Sequence, residues 1–505
     1  MAVTWTGNRR RRRCIVGNVK RGRWALLALW LLSSVGAASC GDSDCAATAT
    51  CVAANDDAGM TDGYPEVPPP PGCDPGADSN GSAACVDDSY ALFVDPKNGN
   101  DTNAGTKAAP LRTLAAATSV DKLAGRPRIY VCGTAAIAET VRLPPNVSLV
   151  GGFDCQAWQY SGVLVRIAPT EPGIVLHVDG STKEIVVSDV ELIARDGEGD
   201  GASSVALFIN GSKATLRRVT AQAGAGASAS QPPTPSNRSS SSLDGNGTTN
   251  DVAADGKTCS CSKQGASIGG KGGGLGAAGA PGGVDPPTQG GGTAGAAGCT
   301  DGGRGANGAK GGAGGKRAAA LGVLTAAGWK PGRGGDGTFG DPGAGGGGAG
   351  GNAAFAGGGG ACGGCGGHGG TGGEGGGASI ALALLMSDVK VVGGRYSAAQ
   401  AGAGAWGGQG ESGASGGARG SSACFGGAGG HGAGGGGGAG GAGGVSTAVL
   451  RTGGTFLQDD AAVLASGKGG AHGPAGIPGG GAGVPGEAGE DGLELLDAAP
   501  VLEIP

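Results

Sequence analysis

Apolar and β-branched positions gather in three blocks, residues 90–220, 378–400 and 446–466. Inside each block, runs of four to six such residues are cut by Gly, Asn, Asp and Ser, the pattern of short buried strands separated by turns. The blocks are copies of one unit. Ser204-Val-Ala-Leu207 leading to Ala221-Gln-Ala-Gly-Ala-Gly226 matches Ser379-Ile-Ala-Leu382 leading to Ala399-Gln-Ala-Gly-Ala-Gly404. A third copy runs from Ser446-Thr-Ala-Val449 to Leu464-Ala-Ser-Gly-Lys-Gly469, and a looser one from Ile174 through Val178 to Ala194-Arg-Asp-Gly-Glu-Gly199. Each unit holds two or three strands in roughly twenty residues and leaves through a Gly-x-Gly exit, which suits one coil of a stacked solenoid.

What lies between the copies is almost entirely glycine and alanine. Of 505 residues 119 are Gly, concentrated between about 265 and 445, while aromatics make up 4%. Glycine brings no side chain to bury and loses the most backbone freedom on ordering, so these tracts cannot build a conventional core. They separate units that must be neighbours in a stack and so read as insertions from one corner of the coil, which loop-closure entropy permits because it grows only logarithmically with length. Three states compete for them: a disordered brush, a bundle of polyglycine-like extended helices, and a collagen triple helix. Gly480, Gly483, Gly486, Gly489 and Gly492 keep a three-residue period, whereas the main tract is read as lacking one. Lys316 to Lys330, with Leu321, Val323, Leu324 and Trp329, is an apolar island able to dock back on the solenoid.

Ahead of the strands, Tyr90-Ala-Leu-Phe-Val-Asp-Pro-Lys-Asn-Gly-Asn-Asp and the Gly-Thr-Lys-Ala-Ala-Pro-Leu-Arg-Thr-Leu114 that follows precede Ile129-Tyr-Val131 and Val147-Ser-Leu-Val-Gly-Gly-Phe153. This ordered set resembles the opening of pectin-lyase-like right-handed β-helices over about residues 90–160. The resemblance implies an all-β, right-handed parallel β-helix and leaves the activity open. The tracts resemble by composition the glycine-alanine repeats of PE-PGRS-type surface proteins, without the N-terminal helical domain that defines that family.

Residues 1–39 read as a signal segment: a basic flank (Arg9 to Arg13, Lys20, Arg21, Arg23), an apolar run from Trp24, then Ala37-Ala38-Ser39-Cys40. Ala-Ala-Ser-Cys resembles the bacterial lipobox, which implies a diacylated Cys40, a membrane anchor and, with Gly41 following, sorting to the outer membrane or cell surface. Ordinary signal cleavage with Cys40 in a disulfide is the alternative. Residues 40–89, with Pro68 to Pro71, read as a semi-rigid stalk. The body then divides into 90–226 (first part of the β-helix), 227–377 (glycine-rich insertion), 378–404 (a coil), 405–445 (a second insertion) and 446–505 (last coil and glycine-rich tail).

Charge and cysteine content narrow the function. Without the eight basic residues before Cys40, 28 basic face 41 acidic residues, a net of −13 that disfavours nucleic acid and anionic surfaces. The twelve cysteines other than Cys14 and Cys40 are Cys45, Cys51, Cys73, Cys85, Cys132, Cys155, Cys259, Cys261, Cys299, Cys362, Cys365 and Cys424. In an exported chain they read as disulfides, with Cys132–Cys155 the expected pair.

No catalytic set and no cofactor is expected. The best acid-and-base cluster is Asp189, Arg195, Asp196, Glu198, Asp200, Arg217 and Arg218, read mainly as solvated turn and strand residues. Asp196, Glu198 and Asp200 are weak calcium candidates, and Cys362-Gly-Gly-Cys365-Gly-Gly-His368 has metal-like spacing without a second ligand pair. His177, His431 and His472 lack a nucleophile partner. Beyond the signal only Trp158, Trp329 and Trp406 are tryptophans able to stack sugars. The expected function is a non-enzymatic surface lipoprotein presenting glycine-rich loops to polysaccharide, envelope or matrix components. A polysaccharide lyase or hydrolase on the same scaffold is the alternative.

Overall fold

A computed structural model describes residues 60–61, 64–78, 80, 83–233, 242–249, 251–495 and 499–505. The signal segment, Cys40, Cys45 and Cys51 lie outside the described residues. The chain divides into two compact units, 1–58 and 59–505, of which only the second is described.

The protein is nearly all-β. After a two-residue hairpin, β1 (Met60–Thr61) and β2 (Tyr64–Pro65), come β3 (Ala91–Val94) and β4 (Arg128–Cys132), parallel neighbours joined through helical turns at Leu114–Ala117 and Val120–Leu123. The first turn is capped by the Thr113 hydroxyl, which accepts from Ala116 N–H, and by Glu139, which accepts from Leu114 and Ala115 N–H. Strands then come in threes: β5 (Val141–Leu143), β6 (Ser148–Phe153), β7 (Val165–Ile167); β8 (Ile174–Asp179), β9 (Glu184–Ser188), β10 (Val190–Ile193); β11 (Ser204–Asn210), β12 (Lys213–Arg217), β13 (Thr220–Gln222). Within the first insertion lie a small antiparallel sheet, β14 (Thr258–Cys261), β15 (Gly265–Ile268) and β16 (Gly283–Asp285), and a hairpin, β17 (Gly322–Thr325) and β18 (Gly328–Pro331). The stack resumes with β19 (Ser379–Val392) and β20 (Arg395–Ser397), then β21 (Ser446–Gln458) and β22 (Val463–Ala465), and ends with β23 (Val501–Glu503).

These strands make a large, all-parallel, curled sheet and a second parallel sheet, a β-helix-like architecture. The large sheet runs β3-β4-β6-β9-β12-β19-β11-β8-β5, with β21 on β19 and β23 on β21; the second runs β22-β20-β13-β10-β7. The curl comes from β19, whose first half pairs with β11 and second half with β12. Side chains stack in columns through the tiers: Val141, Leu176, Leu207, Leu382 and Val449 form one, and Ile167, Leu192, Ala221, Tyr396 and Leu464 another. The columns fill the main core. No single tier could bury these faces, so stability comes from stacking.

The sequence copies are spatial neighbours. Ser204, Ser379 and Ser446 occupy one register position, and all three are fully buried. Their hydroxyls accept from the exit residues Gly224, Ala399 and Gly467 respectively. Ser379 and Ser446 also donate to the exit carbonyls of Gly224 and Ala399 in the preceding tier. The repeated serine therefore fastens each coil's exit at the corner where the insertions leave.

The insertions are ordered. Residues 427–444 run straight among six other extended segments, and their backbone groups are shared with a period of three. The N–H groups of Gly427, Gly430, Ala433, Gly436, Ala439 and Ala442 donate to segment 332–347, and those of Gly429, Gly432, Gly435, Gly438, Gly441 and Gly444 to segment 402–417. Gly434, Gly437, Gly440 and Gly443 donate to 484–493, while carbonyls accept from 305–315, 361–376 and 470–479. Three residues per turn with bonds only between chains is a packed polyglycine-type bundle, the second of the three states considered above. The reading of the main tract as lacking a three-residue period is corrected. The period is carried by backbone bonding and is written plainly in Cys362-Gly-Gly-Cys365-Gly-Gly-His368-Gly-Gly-Thr371-Gly-Gly-Glu374.

Chain separation explains the composition. A Cβ built on Gly436, Gly438, Gly440 or Gly441 would sit within 3.0 Å of a neighbouring chain's carbonyl, a clash real Cβ atoms essentially never make. Alanines also occur in this segment, at Ala433, Ala439 and Ala442, all fully buried. Three disulfides close the bundle: Cys259–Cys362, Cys261–Cys365 and Cys299–Cys424, at sequence separations of 103, 104 and 125. A single loop of that length is worth on the order of 4 kcal/mol in chain-entropy terms, and the neighbouring Cys259–Cys362 and Cys261–Cys365 close nearly the same loop.

The account predicts that Gly438→Ala, at a site closed by the Thr371 backbone, lowers stability by about 1–3 kcal/mol. Gly290→Ala, where a Cβ meets nothing within 4 Å, stays within about 0.5 kcal/mol of the parent. Thermal unfolding of the two variants checks this, and equal effects would contradict it.

Candidate functional site

The acid-and-base cluster does not assemble as a catalytic face. Asp189 sits at the β9–β10 corner with φ 56°, its side chain 1% exposed. Its carboxylate accepts from Tyr160 Oη at 2.9 Å and from Arg218 Nε at 2.7 Å and Nη2 at 2.9 Å. Arg218 also grips Asp78 through two bonds of 2.7 Å. Hydrogen bonds to both carboxylates raise the guanidinium pKa above its ordinary value. Tyr160 is pushed up too, by burial first and then by its bond to Asp189. Neighbouring Arg217 donates to Gly76 O, Arg128 to Pro75 O, and Lys183 pairs with Glu66.

These bonds strap residues 64–78, expected as part of a stalk, across the outer face of the large sheet. The strap is tightened by Cys73–Cys85. Beneath lies an aromatic cluster of Phe93, Tyr130, Phe153, Tyr160 and Trp158, and the Trp158 indole donates to Lys107 O. Trp158 is thus core rather than a sugar platform. Cys132 and Cys155 are bonded at the edge of this cluster.

The calcium candidates are not brought together. Asp196 accepts from Ala225 N–H, Asp200 from Ser230 N–H, and Glu198 pairs with Arg195 at 3.7 Å. Among the described residues the group of three acid, Cys or His side chains close enough to share an ion is Asp95, Cys132 and Cys155, whose sulfurs are already joined. Asp95 itself caps the turn at Lys97 and Asn98. Cys362 and Cys365 are each spent in a disulfide, and His368 packs edge-on against Phe339 at 4.7 Å.

Of the remaining histidines, His177 has the most chemistry around it. It lies on the outer face of β8, edge-on to Phe208, with Arg142 Nη2 at 3.4 Å. Arg142 pairs with Asp179, which also accepts from Asn210 at 3.2 Å. Burial, then the Arg142 charge, depresses the His177 pKa against the pull of Asp179. The hairpin β17–β18 covers the rest of that face, with Leu321, Leu324 and Trp329 packing on Val205, Phe208, Ile380 and Leu450. The apolar island does dock, and Trp329 is partly buried there.

Among the described residues Trp406 is the most exposed tryptophan, 60% accessible. It lies on a broad face where the second parallel sheet continues into the bundle without a break: β13, β20 and β22 extend as 223–229, 398–413 and 465–480, bonded through Gly226, Ala229, Ala401, Gly404, Gly407 and Gly410 N–H. Every third residue points outward. Gln400, Trp406, Gln409, Ser412 and Ser415 are exposed on one chain, and Lys468, Ala471, Pro474 and Ile477 on the next. A three-residue step on such chains is about 9.3 Å, so the face is a regular row of side chains on rigid rails. Nothing but the three-residue spacing could have disclosed it, and that needs the chains to be known as extended and packed.

Compared with known proteins, the chain matches no family model, no curated protein and no solved structure. The five disulfides among the described residues mark an exported protein. Among the described residues no helix is long and apolar enough to cross a membrane.

Asp189→Ala is expected to cost about 1–3 kcal/mol, because it removes the buried acceptor shared by Arg218 and Tyr160, which are themselves partly exposed. Exposed Glu198→Ala stays within about 0.5 kcal/mol in denaturant unfolding. Because the folded pKa of His177 is depressed, neutral His177 favours the fold at high pH. That contribution is complete above its ordinary value of 6.5 and is lost as pH falls through 6.5 toward the depressed value. His177→Gln should flatten that part of the stability-against-pH curve, and an unchanged curve would contradict the assignment.

Proposed function

We propose that this is an exported, non-enzymatic surface protein in which a pectin-lyase-like right-handed β-helix serves as a rigid mount for a glycine bundle that contacts polysaccharide or envelope material. The observation that carries the reading is the division of labour among side chains. The charged groups able to do acid-base work at Asp189 and Arg218 are consumed in a structural clamp. The flat face with Trp406 at its centre is built, rigid and exposed. An aromatic ring flanked by amides at Gln400 and Gln409 suits stacking on a sugar with hydrogen bonds alongside. Anchoring through a diacylated Cys40 at the outer membrane is supported by the basic flank, the apolar run and Ala-Ala-Ser-Cys.

A second reading, a polysaccharide lyase or hydrolase, rests on Arg142, His177 and Asp179 sharing an exposed sheet face. One experiment separates the two. Purified exported chain, from residue 41, is mixed with insoluble envelope polysaccharide, and both retention and release of new sugar ends are measured. The surface reading predicts retention without release, weakened about tenfold by Trp406→Ala. Release abolished by His177→Gln would replace it with the enzymatic reading. Membrane retention lost in full-length Cys40→Ser, with a diacylated N-terminal cysteine in the parent, tests the anchor; an unmodified, released parent would overturn it.

A further inference from the structure

The two ends of the parallel stack are finished differently. At the first, the helical turns carrying Leu114, Ala117 and Leu123 pack over the columns begun by Leu92 and Val94, and all five side chains are buried. At the last, β23 covers only Val449–Arg451 of β21. Among the described residues no strand pairs with the far edge of β21 beyond that point, nor with the far edge of β22. Alternate residues of 454–458 therefore turn their N–H and C=O groups outward, where the Gly454 carbonyl accepts from Arg451 Nη1 at 3.3 Å. The core columns end there on Phe456 and Leu464, which are only partly buried, while Leu457 is 64% and Val463 48% exposed.

Beyond the kink at Gly453 and Gly454 (both φ 67°) the edge has few protections of its own. Thr452-Gly-Gly-Thr-Phe-Leu-Gln458 holds no charge and no proline, the devices that keep edge strands from pairing. Its bounding charges are opposite: Arg451 before it, and the exposed Asp460 after it. Two such strands laid antiparallel bring the Arg451 end of each to the Asp460 end of the other. Arg451 already holds Glu503, and this chain twice uses one arginine to hold two carboxylates, at Arg218 and at Arg333.

We infer that the open end of the stack is the docking surface for a second copy of this chain. The two copies pair about a two-fold axis through antiparallel 454–458 strands, continuing the large sheet across the dimer and burying Leu457, Val463, Phe456 and Leu464. An identical edge is the partner that matches it in length, charge order and apolar content at once, and a two-fold contact closes on itself.

Sedimentation equilibrium of the exported chain tests this. The parent should be dimeric at concentrations of about 50 µM. Leu457→Lys and Asp460→Lys should each raise the dissociation constant at least tenfold with disulfides and circular dichroism unchanged. Ile477→Lys, an equally exposed change on the bundle face, should leave it unaltered. A monomeric parent across that range, a dimer indifferent to Leu457→Lys, or one equally weakened by Ile477→Lys would overturn the proposal. None of these outcomes bears on sugar retention through Trp406.

Discussion

A backbone N–H with nowhere to donate costs about 1–3 kcal/mol when buried, and a glycine tract has no side chains to offset it. In this protein the N–H groups of the central bundle segment turn in rotation to three neighbouring segments, every third one to the same segment, and find carbonyls there. Chains can approach that closely only where a Cβ is missing, so composition, spacing and bonding are one constraint seen three ways. Ordering each residue costs about 1–2 kcal/mol of backbone entropy, and the net return per hydrogen bond is about 0.5–1.5 kcal/mol. These are nearly balanced, so such a bundle does not stand by itself. It needs its chain ends held.

The parallel stack holds them. Each segment leaves from β13, β20 or β22 and returns into the large sheet at β19, β21 or β23, and the serines at 204, 379 and 446 fasten exits to successive tiers. Strand spacing in the stack therefore becomes chain spacing in the bundle. Long-range disulfides lock the far side, where segments are remote from the stack. The outcome is a flat, continuous face that neither half could present alone.

Much of the scaffold was legible in the sequence because stacking repeats themselves along the chain. The match between Ser204, Ser379 and Ser446 gave the register, and the corner of the insertions followed. The fate of the tracts was not legible. Glycine composition is the same for a brush and for a bundle, and the difference lies in which distant segments meet. The clamp was hidden for the same reason: Asp78 and Arg218 are 140 residues apart, and Asp189 read as solvated until Asp78 and Tyr160 were placed around Arg218. Cys362 and Cys365 resembled a ligand pair because their partners, Cys259 and Cys261, lie about a hundred residues away.

The central claim is that the glycine tracts are a hydrogen-bonded solid rather than a solvated coil. Hydrogen exchange of the native, disulfide-intact chain, resolved to peptides covering residues 425–445, tests it most directly. The account predicts amide protection there comparable to that of β19 and β11, since both are ladders buried among neighbours. Exchange of that segment at the rate of an unstructured peptide, with the strands still protected, would contradict it.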